Sequence, residues 1–203
     1  MIKVIGKRHL QVLFLFLTIN ITDSSRLCAQ FVTPKFDDRI LIDLQDNRTP
    51  GQTSFFLFMS NTNKYVDAGV PAALLVGGII DHNEAMRQNS LYVASSTAVS
   101  YGLNYLIKHI VKRPRPFIQN INIVPVYRAG GTSFPSGHAA SSIAMVTSLS
   151  IAYPKWYVIA PSFLWAGTIS YSRMYLGEHY PSDVASGDLL GAGSAVSLMF
   201  LKK

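Results

Sequence analysis

From residue 54 onward the chain runs as long apolar stretches separated by short polar breaks. Five apolar segments cover roughly 54–80, 91–111, 138–153, 156–172 and 184–201. Each is rich in Ala, Leu, Ser and Gly and lacks the every-second-residue alternation of a strand, so each reads as a helix. Small residues such as Ala139, Ala140, Ser141 and Ser142 suit close approach between helices. Crossing a bilayer takes about 20 residues. Segments 91–111 and 184–201 meet that length, and 138–153 and 156–172 lie at its margin. Segment 54–80 is long but interrupted by Asn61, Asn63, Lys64 and Asp67. Ahead of these, 33–52 is polar with an apolar stripe at Ile40, Leu41 and Leu44, the pattern of a short amphipathic helix on a surface. The expected fold is an all-α bundle of five to six helices, membrane-spanning. A fully helical exported soluble domain fits the same pattern.

The first 29 residues read as an address. A basic stretch from Met1 to Arg8 precedes an apolar run from Val12 to Ile21, with small residues at Cys28 and Ala29. That is a signal peptide, or an uncleaved first membrane helix. Either one leaves 30–203 as a single domain outside the cytoplasm or threaded from that side, because the basic end stays inside. Threading the five segments puts 81–90, the turn 153–156 and Lys202-Lys203 inside, and 112–135 and 173–182 outside. Lys155 and the terminal lysines then obey the positive-inside rule. The outer loop breaks it with Lys112, Arg113, Arg115 and Arg128, and binding an anion would explain the breach.

Composition agrees with a membrane chain: 14% of residues are charged and 49% hydrophobic, where an average chain carries about 25% charged. The net charge of +7 can signify nucleic acid, an anionic membrane or a phosphorylated substrate. No nucleic-acid-binding motif accompanies it, so no nucleic-acid partner is expected. Cys28 stands alone, which excludes an intrachain disulfide and a multi-cysteine metal site.

Three short motifs fall at segment ends on the expected outer side. Lys108 is followed by HIVKRP, Arg115 and Pro116. Pro135-Ser136-Gly137-His138 opens the third apolar segment. Ser172-Arg173 is followed by His179 and, four residues on, Asp183. Phosphoryl transfer needs dense positive charge around three oxygens and an in-line nucleophile. Lys108, Arg115 and Arg173 supply the charge, and arginines fork onto two oxygens each. Ser136-Gly137 just before a helix offers free N–H groups and a positive dipole end to an anion. Pro181 suits the first position of a helix, which puts Asp183 in its first turn, within reach of His179.

In residue type and order these motifs resemble the type 2 phosphatidic acid phosphatase superfamily, which also holds vanadium haloperoxidases and bacterial acid phosphatases. The resemblance covers roughly 40–201. It implies a phosphatase working through a phosphohistidine, without metal or cofactor. His179 would be the nucleophile, Asp183 its orienter and His138 the general acid. Lys108, Arg115, Ser136, Gly137 and Arg173 would bind the phosphate. The runs FPSGHAA and GEHYPSD look like the membrane lipid-phosphatase branch. The expected partners are then the membrane and a phosphorylated lipid: undecaprenyl diphosphate, phosphatidylglycerophosphate or phosphatidate. The expected location is a bacterial inner membrane with the site facing the periplasm. A soluble periplasmic acid phosphatase acting on small phosphate esters is the first alternative. A non-catalytic phospholipid-binding or transport protein is the alternative from another class.

The remaining polar residues read as structural. His82 and His109 read as solvated or interfacial, and Glu178 as solvent-facing. Lys112, Arg113 and Arg128 read as loop charges, with a substrate-binding role left open. Asp188, inside an apolar helix, reads as hydrogen-bonded packing.

Overall fold

The structure is a computed structural model and describes residues 34–203. The proposed signal peptide or first helix lies outside the described residues. Among these, six helices of more than ten residues and one single-turn helix account for the fold, and no strand is present. The helices are α1 (Pro34–Asp46), α2 (Pro50–Ile80), α3 (Glu84–Val111), the short α4 (Pro116–Gln119), α5 (Gly137–Ala152), α6 (Trp156–Tyr175) and α7 (Pro181–Ser197). A 3₁₀ turn, Met199–Leu201, follows.

Caps set the ends where hydropathy alone misplaces them. The Asn83 side chain accepts from Met86 N, so α3 starts seven residues before its apolar run, at Glu84. Thr49 caps α2 in the same way, through Gln52 N, with Pro50 in the first turn. α3 stops at Lys112, which takes the left-handed conformation (φ 50°). Beyond it Pro114 and Pro116 cannot continue a helix. The polar positions at 61–67 do not interrupt α2, which is continuous over 31 residues and through Pro71.

The reason is that Asn63 and Asp67 face the interior, where buried polar residues accompany a small apolar core, while many large apolar residues lie outside. α2 buries Ser60, Asn63 and Asp67. α3 buries Asn89, Ser90, Ser96, Thr97, Ser100 and Asn104. The opposite faces present Phe58, Tyr65, Ile79 and Ile80 on α2, Leu91, Tyr105 and Ile110 on α3, Leu164 on α6 and Leu189 on α7. All of these are more than half exposed. The buried hydroxyls are satisfied locally, as in Ser96 to Tyr92 O (2.8 Å) and Ser148 to Ala144 O (2.7 Å). Others cross between helices, as in Ser100 to Ala140 O (3.0 Å) and Tyr92 to Ala195 O (2.8 Å). Ser170 donates to Asp188 at 2.7 Å, so that carboxylate is hydrogen-bonded between α6 and α7. Among the described residues no helix is long and apolar enough to cross a membrane. Length is not what limits α2 and α3, which reach about 46 and 42 Å at 1.5 Å per residue. Their buried polar rows lower the mean hydropathy.

α5 is the central helix, packed on α3, α6, α7 and α2. Its contact with α7 is close because α7 presents glycines. A Cβ on Gly187 would sit 2.6 Å from Ser136 O, and one on Gly191 would collide with Ala140 O. This spacing sets the start of α7 against the start of α5. Gly191→Ala should therefore cost on the order of 1–3 kcal/mol. Gly69→Ala, with nothing within 4 Å of its Cβ, should be neutral or slightly stabilising. Thermal unfolding of the two variants measures this, and equal melting temperatures would contradict the close packing.

Candidate active site

The C-terminal ends of α3 and α6, the N-terminal ends of α5 and α7 and the loop 112–136 meet at one end of the bundle. After α6, Gly177 takes φ +75° and turns the chain sharply. The next two amides, of Glu178 and His179, both donate to Arg173 O at 3.1 and 3.2 Å. This double contact pins His179 to the end of α6. Pro181 then begins α7, and Asp183 folds back to accept from Tyr180 N at 3.0 Å.

His179 and Asp183 lie side by side, but in place of the direct contact expected of them a third residue stands between ring and carboxylate. His179 Nδ1 lies 3.7 Å from Asp183 Oδ2, outside hydrogen-bond range. Ser133 Oγ lies 3.4 Å from the same Nδ1 and donates to Asp183 Oδ2. The hydroxyl thus links ring and carboxylate. The other ring nitrogen, Nε2, faces Arg115 Nη1 at 3.5 Å. Burial above all, with Arg173 and Arg115 adding to it, lowers the His179 imidazole to about 3 against the pull of Asp183. The ring is therefore neutral near pH 7. Burial pushes the Asp183 carboxyl up, but His179, Arg113 and Ser133 together outweigh it and keep the group below its ordinary value, so it is ionised.

The other sequence-predicted residues surround this pair. Lys108 Nζ donates to the carbonyls of Thr132 (2.7 Å) and Ser133 (3.2 Å). Arg115 donates to Gly130 O, Gly131 O and Glu178 O. Arg173 is 2% exposed and donates to Ser60 Oγ (2.6 Å) and Tyr127 OH (2.9 Å), while its Nε has no partner. No carboxylate lies within ion-pair distance of Arg173 among the described residues. Ser136 is fully buried, its hydroxyl without a partner. Gly137 opens α5 against Asn104, whose Oδ1 would be 3.3 Å from an added Cβ. His138, in the first turn of α5, lies in the electrostatic field of Arg173, His179, Arg115 and Lys108. All eight predicted residues converge.

Four further residues belong to the cluster. Arg113 is no free loop charge. It binds Asp183 Oδ1 at 2.7 Å, Ser182 Oγ at 2.8 Å and Asp37 Oδ2 at 3.1 Å, and lies over the Tyr180 ring. Asp37 also accepts from Ser182 N and Oγ, so α1 does more than cover a surface: it braces the start of α7. Ser133 is the third. Glu178, expected in solvent, is fully buried and ion-paired with Arg115 at 3.0 Å, because the Gly177 turn directs it inward. Its position beside His179 was the available signal. Nothing in sequence spacing marks Asp37, more than 140 residues from Ser182. Lys112 and Arg128 are exposed, as are His82 and His109.

Comparison with known proteins places these features in a family. Residues 89–202 match the model of the PAP2 superfamily. The chain is 30% identical, over 72% of its length and 68% of the relative's, to an undecaprenyl-diphosphatase of Sulfolobus acidocaldarius. It is 31% identical to a decaprenylphosphoryl-5-phosphoribose phosphatase of Mycolicibacterium smegmatis, over 76% of this chain and 82% of that one. In fold it is similar to a transmembrane PAP2-type phosphatidylglycerolphosphate phosphatase of Bacillus subtilis, with a TM-score of 0.69 and 19% identity over 94% of this chain and 93% of the other.

The depressed His179 pKa carries a stability signature. The unfolded imidazole titrates near 6.5 and the folded one near 3, so between these values the unfolded state binds the extra proton. The His179 contribution is complete above about pH 6.5 and is lost as pH falls from there toward 3. The melting temperature should drop on acidification from pH 7 to 4.5, and should drop less in His179→Gln. Identical slopes in the two proteins would contradict a buried neutral ring.

Proposed function

The chain belongs to the PAP2 superfamily and is a phosphatase, and from that premise we propose that it hydrolyses lipid phosphates or diphosphates by way of a phosphohistidine on His179. One observation carries the reading. Arg173 is buried without a carboxylate partner, with an unpartnered Nε, in the same pocket as a neutral histidine and an unpartnered Ser136 hydroxyl. A buried guanidinium without an anion is costly, and a phosphate group supplies the missing charge and acceptors.

The chemistry follows from the geometry. Ser133 Oγ, which donates to Asp183, accepts from Nδ1–H, so the lone pair is on Nε2, on the Arg115 side. Nε2 attacks phosphorus, the bond to the leaving oxygen breaks, and His138 gives that oxygen its proton. Water then attacks the phosphohistidine, its proton passes to His138, and the P–N bond breaks to release inorganic phosphate. Lys108, Arg115 and Arg173, with Ser136 and the amides at Gly137, hold the three equatorial oxygens. The negative charge of the incoming phosphate favours the proton on His138. No metal or cofactor takes part in this reading.

The exposed apolar surface supports a lipid setting. Contiguous exposed apolar faces on α2, α3, α6 and α7 suit hydrocarbon. Trp156 and Tyr157, both exposed, suit its interface. Lys155, Lys202 and Lys203 lie at the end of the bundle opposite the site. By the positive-inside rule the site then faces outward, which in a bacterial inner membrane is the periplasm. The two sequence relatives are named for polyprenyl-linked phosphates. Undecaprenyl diphosphate is accordingly the first substrate to try, ahead of phosphatidylglycerophosphate and phosphatidate.

The test is phosphate release by membranes carrying the full chain, in EDTA, on these three lipids and p-nitrophenyl phosphate. We expect hydrolysis of a lipid substrate to survive EDTA and to fall at least about a thousandfold in His179→Ala. Loss of activity in EDTA, or retention of it in the variant, would overturn the mechanism. The protein should also stay with membranes washed in alkaline carbonate, and quantitative release would remove the lipid setting.

A further inference from the structure

Glu178 adjoins the nucleophile and has no part in the reaction above. It is completely buried, with Oε2 on Arg115 Nη1 at 3.0 Å and Oε1 accepting from Ala129 N at 3.4 Å. That Arg115 nitrogen is itself 3.5 Å from His179 Nε2. A carboxylate therefore stands one guanidinium away from the place where phosphorus must sit.

Two roles can be separated. The carboxylate could place Arg115, or it could offset its charge. Placement is already provided by backbone: Nε donates to Gly131 O, Nη2 to Gly130 O and Nη1 to Glu178 O. Three carbonyls fix a planar guanidinium without any side chain. What Glu178 adds is negative charge, in a pocket that gathers Lys108, Arg115 and Arg173. Burial raises its carboxyl pKa, while Arg115, Arg173 and the Ala129 amide work against that rise.

Three largely buried cations gathered at one site create a problem for turnover. Inorganic phosphate, the product, keeps nearly every contact that the substrate's phosphate made. Binding that is equal in ground and transition states lowers KM without raising kcat, and it slows product departure. We propose that Glu178 is a fixed counter-anion that weakens the site's hold on inorganic phosphate and thereby speeds its release. This rests on the phosphatase reading of the same site. Glu178 acts through Arg115 and does not touch the reacting atoms.

The test compares wild type, Glu178→Gln and Glu178→Asp in the full-length protein. Gln keeps the shape and an acceptor for Arg115 but removes the charge, whereas Asp keeps the charge. The readout is affinity for inorganic phosphate, from the concentration dependence of its protection against thermal unfolding. Its inhibition constant in lipid-phosphate hydrolysis is measured beside it. Glu178→Gln should bind phosphate about tenfold more tightly, with KM and kcat both reduced, and Glu178→Asp should stay within about threefold of wild type. Unchanged or weaker phosphate binding in Glu178→Gln, with the melting temperature showing a folded protein, overturns the proposal. So does equal tightening in Glu178→Asp, which would make shape rather than charge the cause. Phosphate affinity that responds as expected in a wild type without hydrolytic activity would leave the counter-anion standing and sink the phosphatase reading. Activity with unresponsive affinity would do the reverse.

Discussion

A guanidinium buried as deeply as that of Arg173 must be surrounded by oxygen, and much of this architecture is the means of surrounding it. α2 contributes the Ser60 hydroxyl and the outer loop that of Tyr127. The Arg173 Nε has no partner among the described residues, and in the proposed mechanism a phosphate oxygen supplies one. The Arg173 carbonyl anchors the turn that carries Glu178 and His179. One residue at the end of α6 thus supplies a buried positive charge and anchors the backbone that carries His179. Displacing it would disturb both at once, which is why the cation and the histidine are best regarded as one unit.

That unit is held between helix ends, and the helices can bring their ends so close because their buried faces are made of small and hydroxylated residues. Serine and threonine side chains return hydrogen bonds to their own helices or neighbouring ones, and glycines on α7 admit the backbone of α5. A small apolar core around Val93, Met145 and Val146 is kept inside, and many further large apolar residues lie outside. The same choice that permits tight packing around the site therefore gives the protein a surface suited to lipid. In the reading proposed above, a substrate with a long apolar tail and a phosphate head suits such a molecule: its tail would stay in hydrocarbon while its head reached the polar end of the bundle.

The fold and the centre of the site were largely legible in the sequence, because both depend on local patterns. Apolar runs became helices, and the three motifs at their ends brought Lys108, Arg115, Ser136, Gly137, His138, Arg173, His179 and Asp183 together. Harder to read was what depends on direction. Asn63 and Asp67 look like interruptions of a hydrophobic segment until α2 is seen to turn them inward. Glu178 looks like a surface charge until the positive φ of Gly177 turns it toward Arg115. Asp37 lies in a segment with no chemical motif, Arg113 sits inside the first motif without a role the motif assigns, and only tertiary packing shows that they brace Asp183. Ser133 stands three residues before Ser136, and without geometry nothing separates it from any other loop serine.

Most direct among possible measurements is chemical identification of the covalent intermediate. The full-length protein would be mixed with its best lipid substrate, quenched in base within milliseconds and digested for mass spectrometry. The proposed mechanism predicts a phosphoryl group on His179, stable in base, lost in acid and absent when His179 is replaced by Ala. A phosphoryl group found on another residue, or active protein in which no covalent intermediate can be trapped while His179→Ala still turns over, would contradict it.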